Sequence, residues 1–405
     1  MNQIKWYNLF GDCMLKIDSL DHSGRGIARL NNKVVFIDNA IEDEIVEIKI
    51  IKEKKNFIEA KVTNYIQKSK NRIENLCPYY NECGGCDIQH MSYTKQLEFK
   101  KSKIQNIVDK YLNIDIKVND IISSDINTGY RNKVTFQVNN SIGFFKNKTN
   151  DIIKIDNCLL ASNKINASIP YLNKLDLKRI NKITCRSTNE LMIIINTKSD
   201  IDITPIKDIA DSIYINDELV YGKPQITNSI GKYNFTISPD SFFQINDEVC
   251  KKLYDKILEE TKDSKNVLDL YCGTGTIGIY ICENKNVIGI EINESAIKDA
   301  NKNKEINNIK NINFICGDSG KASEKLEFEP DTIIVDPPRS GLDKTTINNI
   351  IRMNPNKIIY VSCDPMTLVR DIKILNEYYN IKEITPFDMF PQTKHCESIC
   401  VLERR

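Results

Sequence analysis

The chain has 405 residues, enough for two or three domains, and its 41% apolar content allows proper cores. A formal net charge of +1 supplies no global field for nucleic acid, so any such surface must be local. No apolar run offers a membrane span, and the N-terminus does not read as a signal peptide. These features place the chain in the cytoplasm, and no obligate protein partner is indicated. In that reducing compartment, thirteen cysteines point to metal binding or catalysis rather than disulfides.

From Leu9 to Tyr65 the pattern is of short alternating strands, at Cys13–Ile17, Gly26–Leu30, Lys33–Ile37, Glu44–Lys52 and Asn56–Asn64. Turn residues separate them, as at Asp21-His22-Ser23-Gly24 and Asn31-Asn32. Strands this short and this close predict a small closed barrel. Residues 1–68 form this first domain.

Residues 69–246 form a central α+β domain. It opens with Cys77-Pro78-Tyr79-Tyr80-Asn81-Glu82-Cys83-Gly84-Gly85-Cys86, a C-x5-C-x2-C spacing. Two glycines let the loop curl so that three thiolates can converge. Such a soft ligand set suits an iron–sulfur cluster or zinc, and the spacing does not choose between them. Cys158, in a loop after a strand, is the candidate fourth ligand.

Ser92–Leu112 carries apolar residues near a helical period. Between Lys95 and Lys148 stand ten basic and five acidic residues, a local excess of five. Within it lies Gly129-Tyr130-Arg131-Asn132-Lys133-Val134-Thr135-Phe136. Arg131 and Lys133 alternate along an expected strand and so share a face, where they could meet RNA phosphates. The segment Ser238-Pro239-Asp240-Ser241-Phe242-Phe243-Gln244 precedes a helix at Asp247–Glu260; paired phenylalanines beside a glutamine suit a binding cleft.

Residues 247–405 alternate strand and helix, which predicts a doubly wound α/β sheet. Function collects at the carboxyl ends of the strands of such a sheet. Tyr271, Gly273, Gly275, Glu291, Asp318, Asp336 and Cys363 all fall at such ends. Gly273 and Gly275 allow a ligand close to the backbone, and Glu291 stands eighteen residues after Gly273, where a nucleotide fold places a carboxylate on ribose hydroxyls. Pro365 opens a helix directly after Cys363, so the positive helix end is expected to lower the thiol pKa.

If the last domain transfers methyl groups, as the resemblance given below implies, a thiolate at this position suits a ring carbon as the acceptor. Uracil C5 is a poor nucleophile until a thiolate adds to C6, and a base must later remove the C5 proton. Glu397, from another strand, fits that second role, with His395 as its rival.

The first domain resembles the TRAM domain of RNA-modifying enzymes, through Gly-Arg-Gly-Ile-Ala-Arg, Val-Val-Phe-Ile and Phe-Ile-Glu-Ala-Lys-Val. That implies an OB-like RNA-binding barrel. The last domain, with its terminal pair of strands, is similar to class I S-adenosylmethionine-dependent methyltransferases, which are Rossmann-like. Nearly end to end, the chain resembles RNA uracil-5-methyltransferases, specifically the TRAM-containing branch with an iron–sulfur cluster that modifies 23S ribosomal RNA. The carrying motifs include Tyr130-Arg131-Asn132-Lys133, Asp336-Pro337-Pro338-Arg339, Ser362-Cys363-Asp364-Pro365 and His395-Cys396-Glu397. The resemblance implies Cys363 as nucleophile and Glu397 as base. It implies Gln244, Tyr271, Glu291 and Asp336 around S-adenosyl-L-methionine, with Asp318 and the glycine loop beside them. It also implies a [4Fe-4S] cluster on Cys77, Cys83, Cys86 and Cys158. Two other readings stay open: uridine-5-methylation in the T-loop of tRNA, and an RNA-binding or folding factor whose methylation is dispensable.

Overall fold

The computed structural model describes residues 6–7, 13–112 and 114–405. The first part of the strand pattern, at Leu9, lies outside them. Contacts divide the chain into two compact units, residues 1–103 with 391–394, and residues 104–390 with 395–405.

The first unit is built on a seven-stranded sheet. Its main strands are Cys13–Lys16, Gly26–Leu30, Lys33–Asp38, Ile45–Glu53 and Phe57–Gln67, with two-residue strands at Trp6–Tyr7 and Ser19–Leu20. Alternation is the cause of the fold: Val35, Ile37, Val46, Ile48, Ile58 and Ala60 point into one core and are buried. Gly26 is needed there, because a Cβ would lie 2.8 Å from that of Ala40. The cysteine loop follows this sheet.

The second unit holds a central sheet and the nucleotide-type sheet. The central sheet runs in the order 152–154, 142–145, 133–138, 180–187, 191–197, 212–215, 218–222. All its neighbours are antiparallel except the pair 191–197 and 212–215. A hairpin, Ile226–Ile230 with Tyr233–Ile237, leads to helix Asp247–Glu260. Asn246 caps that helix by accepting from the Val249 amide.

We number the strands of the last sheet β1 (Asn266–Leu270), β2 (Asn286–Glu291), β3 (Ile312–Cys316), β4 (Thr332–Val335), β5 (Lys357–Ser362), β6 (Tyr379–Phe387) and β7 (Glu397–Arg404). Their spatial order is β3-β2-β1-β4-β5-β7-β6. The first five are parallel; β7 runs antiparallel to both β5 and β6. Near-continuous apolar strands are required because both faces are covered. In β5, Ile358 and Tyr360 enter one core while Ile359 and Val361 enter the other. The order inverts beside β1, and β1 is where the chain supplies its glycine turn. Among the described residues, no helix is long and apolar enough to cross a membrane.

Candidate active site

The site forms where β1, β4 and β5 end and β7 begins. β5 and β7 pair in a register whose last pair sets Ser362 opposite Ser398. Cys363 and Glu397 are the next residues beyond that pair on the two chains, and they lie close enough for their charges to interact. Cys363 is half-buried, and Glu397 is 3% exposed. Asp364 caps helix Pro365–Leu375, its Oδ1 accepting from the amides of Met366 and Thr367 at 2.9 and 3.2 Å. The Ser362 hydroxyl donates to the Asp364 carbonyl at 3.0 Å and so fixes the turn that carries the thiol.

The electrostatics correct one expectation. Burial pushes the Cys363 thiol up to about 11, and the Glu397 and Asp336 carboxyls add to that. The Arg339 guanidinium, bonded to the thiol, opposes them. The expected lowering by the helix end is therefore overridden: desolvation and two neighbouring acids disfavour a new negative charge. Glu397 is itself pushed well above the usual carboxylate range by burial and then by Asp336, with Arg339 opposing. Burial raises Asp336 to about 7.

The acidic row continues to the glycine turn. Asp269 in β1 has no exposure, and burial followed by the Asp336 and Glu291 charges raises it to about 8. Its Oδ2 accepts the Gly278 amide at 3.1 Å. Sequence reasoning missed Asp269 because an acid inside an apolar strand resembles any strand residue until its burial is known. It also took Arg339 only as part of a motif; the unpaired cation after Asp336-Pro337-Pro338 was the available signal.

The turn after β1 is left-handed at Tyr271, Gly273 and Gly275, with φ of 62°, 54° and 76°. A Cβ on Gly275 would sit 2.5 Å from the Phe314 ring, so only glycine fits. At Gly273 nothing lies within 4 Å of the Cβ position, leaving open space over the turn. Glu291 accepts the Gly273 amide on Oε2 at 3.2 Å and the Asn293 amide on Oε1 at 2.8 Å. Tyr271 donates toward Asp343 at 3.3 Å; burial and the nearby acids Asp343 and Asp318 raise its phenol to about 12. Asp318 is exposed and caps the short helix Ser319–Glu324. This open, glycine-floored, acid-rimmed end fits a nucleoside bearing a positive charge.

The remaining predicted residues lie elsewhere. Gln244 is buried, and its carbonyl accepts from the Asn132 amide side chain at 2.9 Å. The two phenylalanines before it separate: Phe243 packs beside Phe235, while Phe242 is 67% exposed. Arg131 does not share a strand face with Lys133, because the strand begins at Lys133; Arg131 makes an isolated bridge to Ala161 and its Nε donates to the Lys133 carbonyl at 3.1 Å. Lys133 pairs with Arg186 across the central sheet, and burial together with that guanidinium lowers it to about 8. His395 is half-buried with its ring edge-on to Phe390. Cys77, Cys83 and Cys86 are half-buried in the first unit, and Cys158 belongs to the second. The Gly85 amide reaches the Cys83 sulfur at 3.4 Å. Among the described residues, no three His, Cys, Asp or Glu side chains are grouped to hold a metal ion, so this geometry does not present a ligand set.

The family profile described as tRNA (Uracil-5-)-methyltransferase matches residues 178–405, and that of the TRAM domain matches residues 14–63. The chain belongs to the tRNA (uracil-5-)-methyltransferase family. An uncharacterized RNA methyltransferase of Staphylococcus aureus (strain MSSA476) is 35% identical, over 94% of this chain and 96% of its own. One from Clostridium acetobutylicum is 34% identical over 97% of both. The solved tRNA (uracil-54, C5)-methyltransferase of Pyrococcus abyssi, in complex with S-adenosyl-L-homocysteine, is 27% identical with a TM-score of 0.80, covering 96% of this chain and all of that one. This RNA uracil-C5-methyltransferase thus depends on S-adenosylmethionine and has a TRAM domain ahead of a Rossmann-like methyltransferase fold.

The balance around the thiol can be measured. Alkylation of Cys363 by iodoacetamide, followed peptide by peptide, should accelerate as pH rises through 8 and beyond, since the thiolate is the reacting form. Arg339→Gln should move that limb to higher pH, because it removes the group that opposes the raised pKa. A plateau below pH 8, or an unmoved limb in the variant, contradicts this electrostatic account.

Proposed function

We propose that the enzyme methylates C5 of a uridine in 23S ribosomal RNA, with Cys363 as nucleophile and Glu397 as base. The nearness of Cys363 and Glu397, each one step beyond the last pair of β5 and β7, carries the reading of the chemistry. The Cys363 thiolate adds to C6 of the uracil, and the electron pair of the C5–C6 bond moves into an enolate. S-adenosylmethionine supplies an electrophilic methyl group to C5. Glu397 then takes the C5 proton, the C5–C6 double bond re-forms, and the bond from C6 to Cys363 breaks. A carboxylate whose pKa is raised well above the usual range is a stronger base than an ordinary one. Arg339 favours the thiolate both at the start and as the departing group. Gln244, Tyr271, Gly273, Gly275, Glu291, Asp318 and Asp336 form the S-adenosylmethionine side. Exposed Phe242, with Arg131 and Lys133, belongs to the RNA side.

Within this proposal, residues 1–68 hold RNA, 69–246 position it and 247–405 perform the transfer. The resemblance to the iron–sulfur branch supports a [4Fe-4S] cluster on Cys77, Cys83, Cys86 and Cys158 in place of zinc, and no catalytic step involves it. Protein purified without oxygen should then carry about four irons per chain. One equivalent of zinc, or no metal, removes the cluster and leaves the methyl transfer standing.

The spacing and the barrel support ribosomal RNA. The likeness to the Pyrococcus abyssi tRNA (uracil-54, C5)-methyltransferase supports a tRNA T-loop equally well. Offering unmodified 23S rRNA and unmodified tRNA separately, with product mapped by nuclease digestion and mass spectrometry, decides between them. 5-Methyluridine in rRNA alone is expected; in tRNA alone it overturns the substrate. The chemistry has its own check. Glu397→Gln should accumulate a covalent protein–RNA adduct on a denaturing gel, because the C5 proton stays in place after methyl transfer. Absence of that adduct, or its persistence in Cys363→Ala/Glu397→Gln, contradicts the assigned roles.

A further inference from the structure

The second unit contains a cavity of about 780 Å³ that includes neither Cys363, Glu397 nor the glycine turn among its lining residues. Its volume falls within the ~300–1,000 Å³ of small-molecule sites. The wall is unusual in being made of amides and hydroxyls, with Tyr130, Asn132, Asn189, Asn228 and Asp247 prominent and Lys164 at an exposed position.

Asp247 organises this wall. The Asn132 and Asn228 amides both donate to its Oδ1, at 2.8 and 3.0 Å. Oδ2 has no hydrogen-bond partner among the described residues. The carboxylate is thereby held in one orientation by two side chains from separate segments, Asn132 just before a strand and Asn228 within one, with one oxygen left to accept. Acceptors of this kind read the exocyclic amino group of a base, as carboxylates do with cytosine. Amides around it can pair with the rest of a base edge, and an aromatic ring and a lysine match a base face and a phosphate. Uracil carries no exocyclic amino group; its Watson–Crick edge offers a single ring N–H between two carbonyls. The cavity's lining includes neither Cys363 nor Glu397.

We propose that this cavity takes a second, unpaired nucleotide of the RNA substrate, one whose base carries an exocyclic amino group, from the strand flanking the target uridine. It rests on the RNA reading above and adds a specificity site to it. Communication with the reaction is direct, because the same Asn132 amide that holds Asp247 also holds the Gln244 carbonyl.

The test uses the full chain and a fragment of the RNA that accepts methyl. Each unpaired neighbour of the target is replaced singly by uracil, and KM is measured for wild type and for Asp247→Asn. That variant keeps an oxygen to accept both amides but turns the other position into a donor. Wild type should lose about tenfold at one neighbour, the one carrying the amino group. Asp247→Asn should abolish or reverse that preference. A scan in which no position responds differently in the two proteins overturns the site and leaves the methyltransferase reading intact. If no RNA accepts methyl at C5, both fall together.

Discussion

The antiparallel pairing of β7 against β5 is the constraint on which the site depends. A parallel strand at that place would deliver its carboxyl end to the same rim, but would need another crossover. The reversed strand delivers its first residue instead, and that residue is Glu397, one step beyond the Ser362–Ser398 pair and beside the turn that carries Cys363. Everything else at the rim responds to the charge this creates. Asp336 and Asp269 are driven toward neutral forms by burial, and Arg339 is the cation that keeps the cluster from excluding a thiolate altogether. An acid-rich, partly protonated rim is poor at holding another anion. It is well matched to a cationic sulfonium, so the same electrostatics that raise the thiol pKa favour the methyl donor.

Much of the fold was legible because period and turn chemistry agree with burial. All five barrel strands begin within one residue of where alternation places them, and Gly26–Leu30 coincides at both ends. The helix at Asp247–Glu260 coincides as well, since Asn246 gives its start a side-chain cap. Alternation places the last two strands at Tyr379–Phe390 and His395–Glu403, against Tyr379–Phe387 and Glu397–Arg404 in the structure. Alternation alone does not mark where Phe387 leaves the sheet, and the chain up to Cys396 crosses between the ends of β6 and β7 without pairing in either. Arg131 was misplaced for a related reason: a bridge to Ala161 mimics one residue of strand pattern without extending the ladder.

The candidate site was legible in its membership and not in its energetics. Cys363, Glu397, Asp336 and the glycine turn could be found because each marks the end of a strand. Their pKa values could not, because these depend on which ends lie side by side, and strand order is not linear in sequence. Local reasoning saw one helix end beside Cys363 and expected a lowered pKa. Two acids from distant segments, and burial, reverse the sign. Phe242 and Phe243 show the same limit: adjacent, identical side chains take opposite positions, one against Phe235 and the other exposed.

The most direct measurement follows hydrogen at the reacting carbon. RNA transcribed with tritium at C5 of uridine is incubated with the enzyme and S-adenosylmethionine, and tritium released to water is compared with methyl groups incorporated. The account predicts one tritium released per methyl transferred, with both lost in Cys363→Ala. Methyl transfer without tritium release would place the group on another atom and contradict the assignment of Cys363 and Glu397.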